Sequence, residues 1–241
     1  MVYGELGIAA CACMLAIASI LDIKSREIPD KVWLAFGGVG LLITIATIMD
    51  ESFLPNGMSM PAFLVRHAIG IAIISAIGYA AYRAGLLGGA DPKALVTIAI
   101  LIPTLEPAAR LHDIVALTVF TNALIVSLAG MLYNVARNAM SVARGVPIFD
   151  GVAESGVRKA LAFAVGFPAR SSGKYLFAME DKDELGRRRF VFNPARYNDF
   201  AQPSGKMWVT QALPFIVYIG IGFALTLVAG DLLALLFGAI L

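Results

Sequence analysis

Apolar residues in this chain are gathered into long blocks separated by short polar stretches. Six blocks run roughly over 3–21, 32–49, 66–86, 93–110, 113–135 and 208–230, each close to the about 20 residues that carry an α-helix across a bilayer. The pattern predicts an all-α integral membrane protein of about six transmembrane helices. The fourth block, LVTIAILIPTL, contains Pro103, which a buried span tolerates when neighbouring groups satisfy the freed carbonyl. The last block continues past Asp231 to Leu241, either as one long tilted helix or as a helix with an interfacial tail. The N-terminal block has no basic segment before it and no small-residue cleavage site, so it reads as a retained first helix. Composition agrees: 59% of the 241 residues are hydrophobic and 15% charged, against about half and a quarter in soluble domains.

The polar stretches set the orientation. Lys24, Arg26 and Lys31 follow the first block, and Arg83 and Lys93 lie between the third and fourth. Segment 136–207 holds twelve basic residues against seven acidic ones. The alternate loops are poor: 50–65 has no Lys or Arg, and the turn near 106–113 has only Arg110. Basic loops stay in the cytoplasm, so both termini are expected outside, with the first, third and fifth loops inside. The chain divides into a transmembrane core at 1–135, a small cytoplasmic α+β segment at 136–207, and a last span with its tail at 208–241. Within the cytoplasmic segment, KYLFAM (174–179) and RRFVF (188–192) are expected to pair as a hairpin across DKDELG, with Gly186 in the turn. Val157 to Phe167 is apolar behind Arg158 and Lys159 and suits a membrane surface. The basic excess suits a cytoplasmic face near anionic lipid. No basic motif interleaved with aromatics points to nucleic acid.

Few residues can carry chemistry. Cys11 and Cys13 lie inside the first block and read as small apolar filler, since two thiols cannot complete a four-ligand zinc site. His67 and His112 stand alone at span ends, so neither a metal nor another cofactor is expected. Two acids stand out because a carboxylate at the edge of a span is costly to desolvate and functional by default. Asp22 directly follows ASIL at the end of the first block, with Lys24 or Arg26 as possible ion partners. Asp91 opens the fourth block within Gly88-Gly89-Ala90-Asp91-Pro92-Lys93, where it could also serve as a plain helix cap. The small residues let the backbone bend and another chain come close. Pro92 suits the first turn of a helix. Nearby, Asp30 after Pro29 is placed to cap the second span, and Glu27 reads as solvated. The loop charges put Asp22 and Asp91 on one face. Two carboxyls brought together share a proton, so one can activate water while the other hydrogen-bonds a scissile carbonyl.

LDIKSREIPD followed much later by GGADPKAL resembles the type IV prepilin peptidase family, most closely its archaeal preflagellin peptidase branch. PSGKMWVTQALPFIVYIG before the last span is similar to the same branch. The resemblance implies an aspartyl endopeptidase with Asp22 as the first catalytic aspartate and Asp91 as the second, in a Gly-x-hydrophobic-Asp motif. It implies prepilin or preflagellin substrates with a short basic leader and an apolar helix, cut at the cytoplasmic membrane face. Gly88, Gly89 and Ala90 would keep the approach to Asp91 open, and Glu27 and Asp30 are candidates for reading the leader. The four-cysteine zinc insert of the bacterial branch is missing, as is a glycine-rich methyl-donor site, which sets N-methylation aside.

Two other readings remain open. Intramembrane proteases of the presenilin and signal-peptide-peptidase kind also carry a Gly-x-Gly-Asp motif, but deeper in their spans, and position 90 is Ala. A proton-coupled transporter or assembly scaffold would also use membrane acids. Transporters usually show paired halves and midplane sites, and this chain has no internal repeat.

Overall fold

The computed structural model describes residues 2–50, 54, 57–105, 111–169, 175–192, 206–211 and 214–240. The order of elements is α1 (Val2–Ser25), α2 (Asp30–Met49), α3 (Met60–Arg83), α4 (Ala90–Leu101), α5 (Val115–Ala143), α6 (Gly156–Val165), β1 (Phe167–Ala169), β2 (Leu176–Ala178), β3 (Glu180–Lys182), β4 (Arg188–Phe190), β5 (Met207–Gln211), α7 (Phe215–Val228) and α8 (Leu232–Ile240). They form two compact units, one of residues 1–126 with 214–241 and one of residues 127–213.

The first unit is a mostly helical, multi-spanning membrane fold. Among the described residues, α1, α2, α3 and α5 are each long and apolar enough to cross a bilayer, and α7 with α8 makes a fifth, broken candidate bent by 56°. The expectation of about six transmembrane helices is thus met in part, and the structure departs from it at two places. In the fourth block the helix ends at Leu101, and Ile102 leaves helical geometry with φ −130° and ψ 80°. The cause is Pro103, since the residue before a proline is pushed out of the helical region. Residues 106–110 of that block, and 212–213 of the last one, lie outside the described residues.

Helix α4 is the centre of this unit. It packs against α1, α2, α3 and α7, and Ala94, Leu95 and Ile98 are fully buried. Glycines on its neighbours allow the approach. A Cβ added to Gly40 of α2 would lie 2.8 Å from the Ile100 side chain, and one on Gly7 of α1 would lie 2.4 Å from the Leu101 carbonyl oxygen. The outer faces of α2 and α3 expose Leu34, Leu41, Leu42, Val65 and Ile69, an apolar surface suited to hydrocarbon.

The break between α7 and α8 is held by buried polar groups. Gly230 turns the chain with φ 81°, a left-handed conformation that glycine takes at no steric cost. Asn122 of α5 donates to the Gly230 carbonyl at 2.9 Å and to Thr226 Oγ1 at 3.0 Å, and its Oδ1 accepts the Leu232 N–H at 3.0 Å. Asp231 accepts the N–H groups of Leu233 and Ala234, and its other oxygen accepts the Leu111 N–H. Of the two arrangements expected for the last block, one long tilted helix or a helix with an interfacial tail, the first is not formed: α7 and α8 are two helices joined by a satisfied corner.

The second unit contains residues 127–143 of α5, then α6 and two small sheets. Strands β1, β5 and β2 form an antiparallel sheet in that order, and β3 pairs with β4. The expected hairpin is shifted. Leu176–Ala178 pairs with β5, and Glu180–Lys182 is the partner of Arg188–Phe190. The Glu180 carboxylate receives two hydrogen bonds from Arg188 at 2.6 and 2.7 Å. The Asp183 carboxylate closes the loop by accepting the N–H groups of Leu185 and Arg187. Lys174 of the expected strand lies outside the described residues. The core forms around Trp208, stacked on Phe149 at 4.9 Å with its indole N–H donated to the Ile148 carbonyl. Helix α6 is capped by Ser155 and buries Ala162 in this core. Phe167, the last residue of the apolar stretch read as suited to a membrane surface, begins β1.

Replacing Asn122 by Leu leaves the Gly230 carbonyl and the Leu232 N–H without partners in an apolar setting. The expected cost is about 1–3 kcal/mol, seen as a lower midpoint of unfolding in detergent. An unchanged midpoint would show that the corner does not depend on Asn122.

Candidate active site

Asp22 lies in the last turn of α1 and Asp91 in the first turn of α4. Both are buried, with 9% and 6% of their surface exposed. They are close enough for the Asp22 charge to act on the Asp91 carboxyl. The topology that joins them is short. Helices α1 and α4 pack together, and the end of one lies beside the start of the other.

Each carboxyl has backbone or cationic support. The Asp91 Oδ2 accepts the Gly88 N–H at 2.7 Å, and the Asp91 N–H donates to the Gly88 carbonyl at 3.2 Å. Asp91 therefore fastens the glycine turn to the start of its own helix, as well as presenting a carboxyl. Asp22 faces the backbone N–H of Ile216, in the first turn of α7. Asp91 thus sits at the N-terminus of its own helix, and Asp22, at the end of α1, faces the N-terminus of α7, where unsatisfied N–H groups and the helix dipole favour negative charge.

Asp22 also pairs with Arg26, Nη1 to Oδ1 at 3.6 Å. Of the two expected ion partners, this contact belongs to Arg26, one helical turn along. Arg26 has φ 60°, a left-handed conformation that costs a non-glycine residue roughly 1–2 kcal/mol. Its N–H closes α1 on the Asp22 carbonyl at 3.1 Å. The residue read from sequence as a topology charge is also part of the carboxyl's surroundings. The spacing of four between Asp22 and Arg26 is the signal that pointed there.

Asp30 departs from its expected capping role. Pro29 is the capping position of α2 and there is no side-chain cap; Asp30 is in the first turn. Its carboxylate instead takes the Lys93 ammonium of α4 at 2.5 Å. Nothing local in the sequence signals a pair separated by 63 residues. Glu27 is exposed beside the Ser25 turn, where the Ser25 hydroxyl donates to the Glu27 carbonyl.

The small residues before Asp91 differ in their surroundings. A Cβ on Gly88 would stand 3.3 Å from Asp91 Oδ2, whereas one on Gly89 would meet only Tyr82, at 3.8 Å. Ala90 starts α4 and packs on the core. Among the described residues, no group of three or more His, Cys, Asp or Glu could hold a metal ion.

Two buried carboxyls at one end of an apolar helical bundle have the equipment of a membrane aspartic peptidase. Comparison with known proteins agrees. Residues 9–135 match the type IV leader peptidase family. The chain is 27% identical over 243 residues to a preflagellin peptidase of Methanococcus voltae and 26% identical over 230 residues to one of Methanococcus maripaludis. It is 25% identical over 225 residues to one of Methanocaldococcus jannaschii. Each comparison covers 90% of this chain, and 92%, 92% and 91% of the respective relative. The chain belongs to the type IV leader peptidase family, and its activity is that of an aspartic endopeptidase.

Two substitutions separate the supports around the carboxyls. Arg26→Gly suits the left-handed turn, so folding stability should hold or rise while peptide cleavage falls about tenfold or more. Full cleavage would remove Arg26 from the site. Gly88→Ala should slow cleavage more than Gly89→Ala, because only the first presses on the Asp91 carboxyl; equal rates would refute that.

Proposed function

We propose that this protein removes the leader from prepilin- or preflagellin-type precursors at the cytoplasmic face of the membrane, with Asp22 and Asp91 as the catalytic pair. The observation that carries this reading is the meeting of the two buried carboxyls at one end of the bundle. A substrate whose leader is in water and whose helix is in lipid has its junction at such an end.

The chemistry needs one carboxylate and one carboxylic acid. The carboxylate takes a proton from water, and the water oxygen bonds to the scissile carbonyl carbon. The other carboxyl gives its proton to the carbonyl oxygen. Collapse of this tetrahedral species breaks the C–N bond, and a proton passes to the leaving amine. The pair titrates as a unit.

The orientation we adopt has both termini outside and six membrane passes. The fourth pass combines α4 with the residues after it. Twelve helical residues span about 18 Å, and the non-helical residues 102–105 can add about 13 Å. Non-helical backbone is tolerated at membrane depth when it is buried in protein, and Ile102 is buried. The excess of Lys and Arg in the first and third loops and in segment 136–207 supports a cytoplasmic position for those parts. Glu27 and Asp30 are exposed between α1 and α2, which suits them to a basic leader. Gly88, Gly89 and Ala90 keep bulk away from Asp91.

The test is cleavage of a synthetic precursor by purified protein in detergent. Asp22→Asn and Asp91→Asn should each slow turnover by about 10²–10⁴-fold without changing the unfolding midpoint. The wild-type rate should be bell-shaped in pH, since one carboxyl must be charged and one protonated. Mass spectrometry should place the cut at the leader–helix junction. Normal turnover in either variant, or a cut in the middle of the helix, would overturn the assignment.

A further inference from the structure

Helix α6 carries an exposed face made only of apolar side chains. Val157, Ala160, Leu161, Ala164 and Val165 recur at offsets of three, four, seven and eight, the spacing that gathers side chains on one side of a helix. Val157 is 72% exposed and Leu161 51%, and Ala160 and Val165 are exposed with them. The other side packs inward through Ala162 and Phe163. The two cations of the helix make their contacts elsewhere: Arg158 with Glu154 at 2.8 Å, and Lys159 over the Phe149 ring at 5.8 Å. A surface helix of a globular protein turns a charged face to water, whereas α6 turns an uncharged one outward. Its ten residues are too few to cross a bilayer.

What covers this face follows from where α6 is attached. Residues 115–136 of α5 carry no charged side chain and measure about 33 Å as a helix, just over the about 30 Å of a hydrocarbon core. Arg137 is the first charge after them. Its guanidinium carbon lies 3.9 Å from the Phe167 ring centre, and Asn138 donates to the carbonyls of Phe163 and Gly166 at 2.8 and 2.7 Å. The C-terminal end of α6 is therefore fastened to α5 about 3 Å past the uncharged run, within the about 5–7 Å of headgroup region on each side of the core. A helix end at that depth meets lipid first. Charge agrees, because the twelve basic side chains of segment 136–207 outnumber its seven acidic ones, a match for anionic headgroups.

We propose that α6 is a membrane-surface helix: it lies in the plane of an anionic bilayer, with its Val157–Leu161–Val165 face in the boundary between headgroups and acyl chains. Short apolar helices bind lipid in this way when buried apolar area and attraction to anionic headgroups act together. Asn138 and Arg137 set the depth by tying the end of α6 to the point where α5 leaves the core. The helix thereby holds residues 127–213 against the bilayer. This surface is separate from the peptidase reading of Asp22 and Asp91 and needs only that α5 crosses the membrane, as its length and apolarity allow.

Electron paramagnetic resonance tests this on the full chain in lipid nanodiscs of phosphatidylcholine mixed with anionic phosphatidylglycerol. Protein with Cys11→Ala and Cys13→Ala receives one nitroxide, through Val157→Cys or Leu161→Cys. Glu184→Cys, at an exposed position between β3 and β4, is the reference in water. Nitroxides at 157 and 161 should collide more with oxygen dissolved in the bilayer than with a water-soluble nickel chelate, at a depth of about 5–10 Å. The nitroxide at 184 should show the reverse. Nickel contact at 157 and 161 equal to that at 184 overturns the proposal. So does shielding from both reagents, which means a protein partner, or spin–spin broadening, which means a second copy of the chain. In discs of phosphatidylcholine alone, nickel contact at 161 should rise about twofold or more as the headgroup attraction is lost. Equal contact in the two kinds of disc overturns the part assigned to anionic lipid.

Discussion

A helix of twelve residues cannot cross a hydrocarbon layer alone, and α4 is such a helix. It spans about 18 Å where the layer measures about 30 Å. Its backbone ends must be satisfied inside protein, because lipid offers them nothing. The surrounding helices pack closely on it. Glycines at 7 and 40 admit its backbone at distances that a side chain would forbid. The same enclosure buries Asp91, which stands in the first turn of this helix.

The pair of carboxyls follows from that enclosure. Asp91 comes to the site at the start of α4, and Asp22 comes at the end of α1. The start of α7 brings a third element, the Ile216 N–H facing Asp22. Helix N-termini favour negative charge through their unsatisfied N–H groups. Arg26 contributes the cation, at the cost of a left-handed backbone.

The opposite solution appears at the corner between α7 and α8. There Asn122 and Asp231 tie the backbone groups of Gly230, Leu232, Leu111, Leu233 and Ala234, and Asn122 also donates to the Thr226 hydroxyl. Asp231 is as deeply buried as the site acids, yet its oxygens are occupied by N–H groups of Leu111, Leu233 and Ala234. Burial alone therefore does not set one acid apart from another. Asp91 differs from Asp231 in lying within the field of another carboxyl, that of Asp22.

Much of this was legible in the chain itself. Long apolar blocks reveal membrane helices because hydrocarbon requires them, and an acid at the edge of a block stands out for the same reason. Asp22 and Asp91 are visible at that level, as is the glycine turn before the second. Pro103 carried the information that the fourth block would break, but only packing showed that its helix could stop after twelve residues. Other features depended on distance in space. Asp30 looks like a cap until Lys93 arrives from a different helix. The hairpin register slipped because Glu180 and Arg188 pair, which alternation of apolar residues does not encode. The meeting of Asp22 with Asp91 belongs to this second kind. Sequence determined that each acid would sit at a helix end near water; only the packing of α1 against α4 decided that the two ends coincide, because contact between helices is set by surface shape and not by order along the chain.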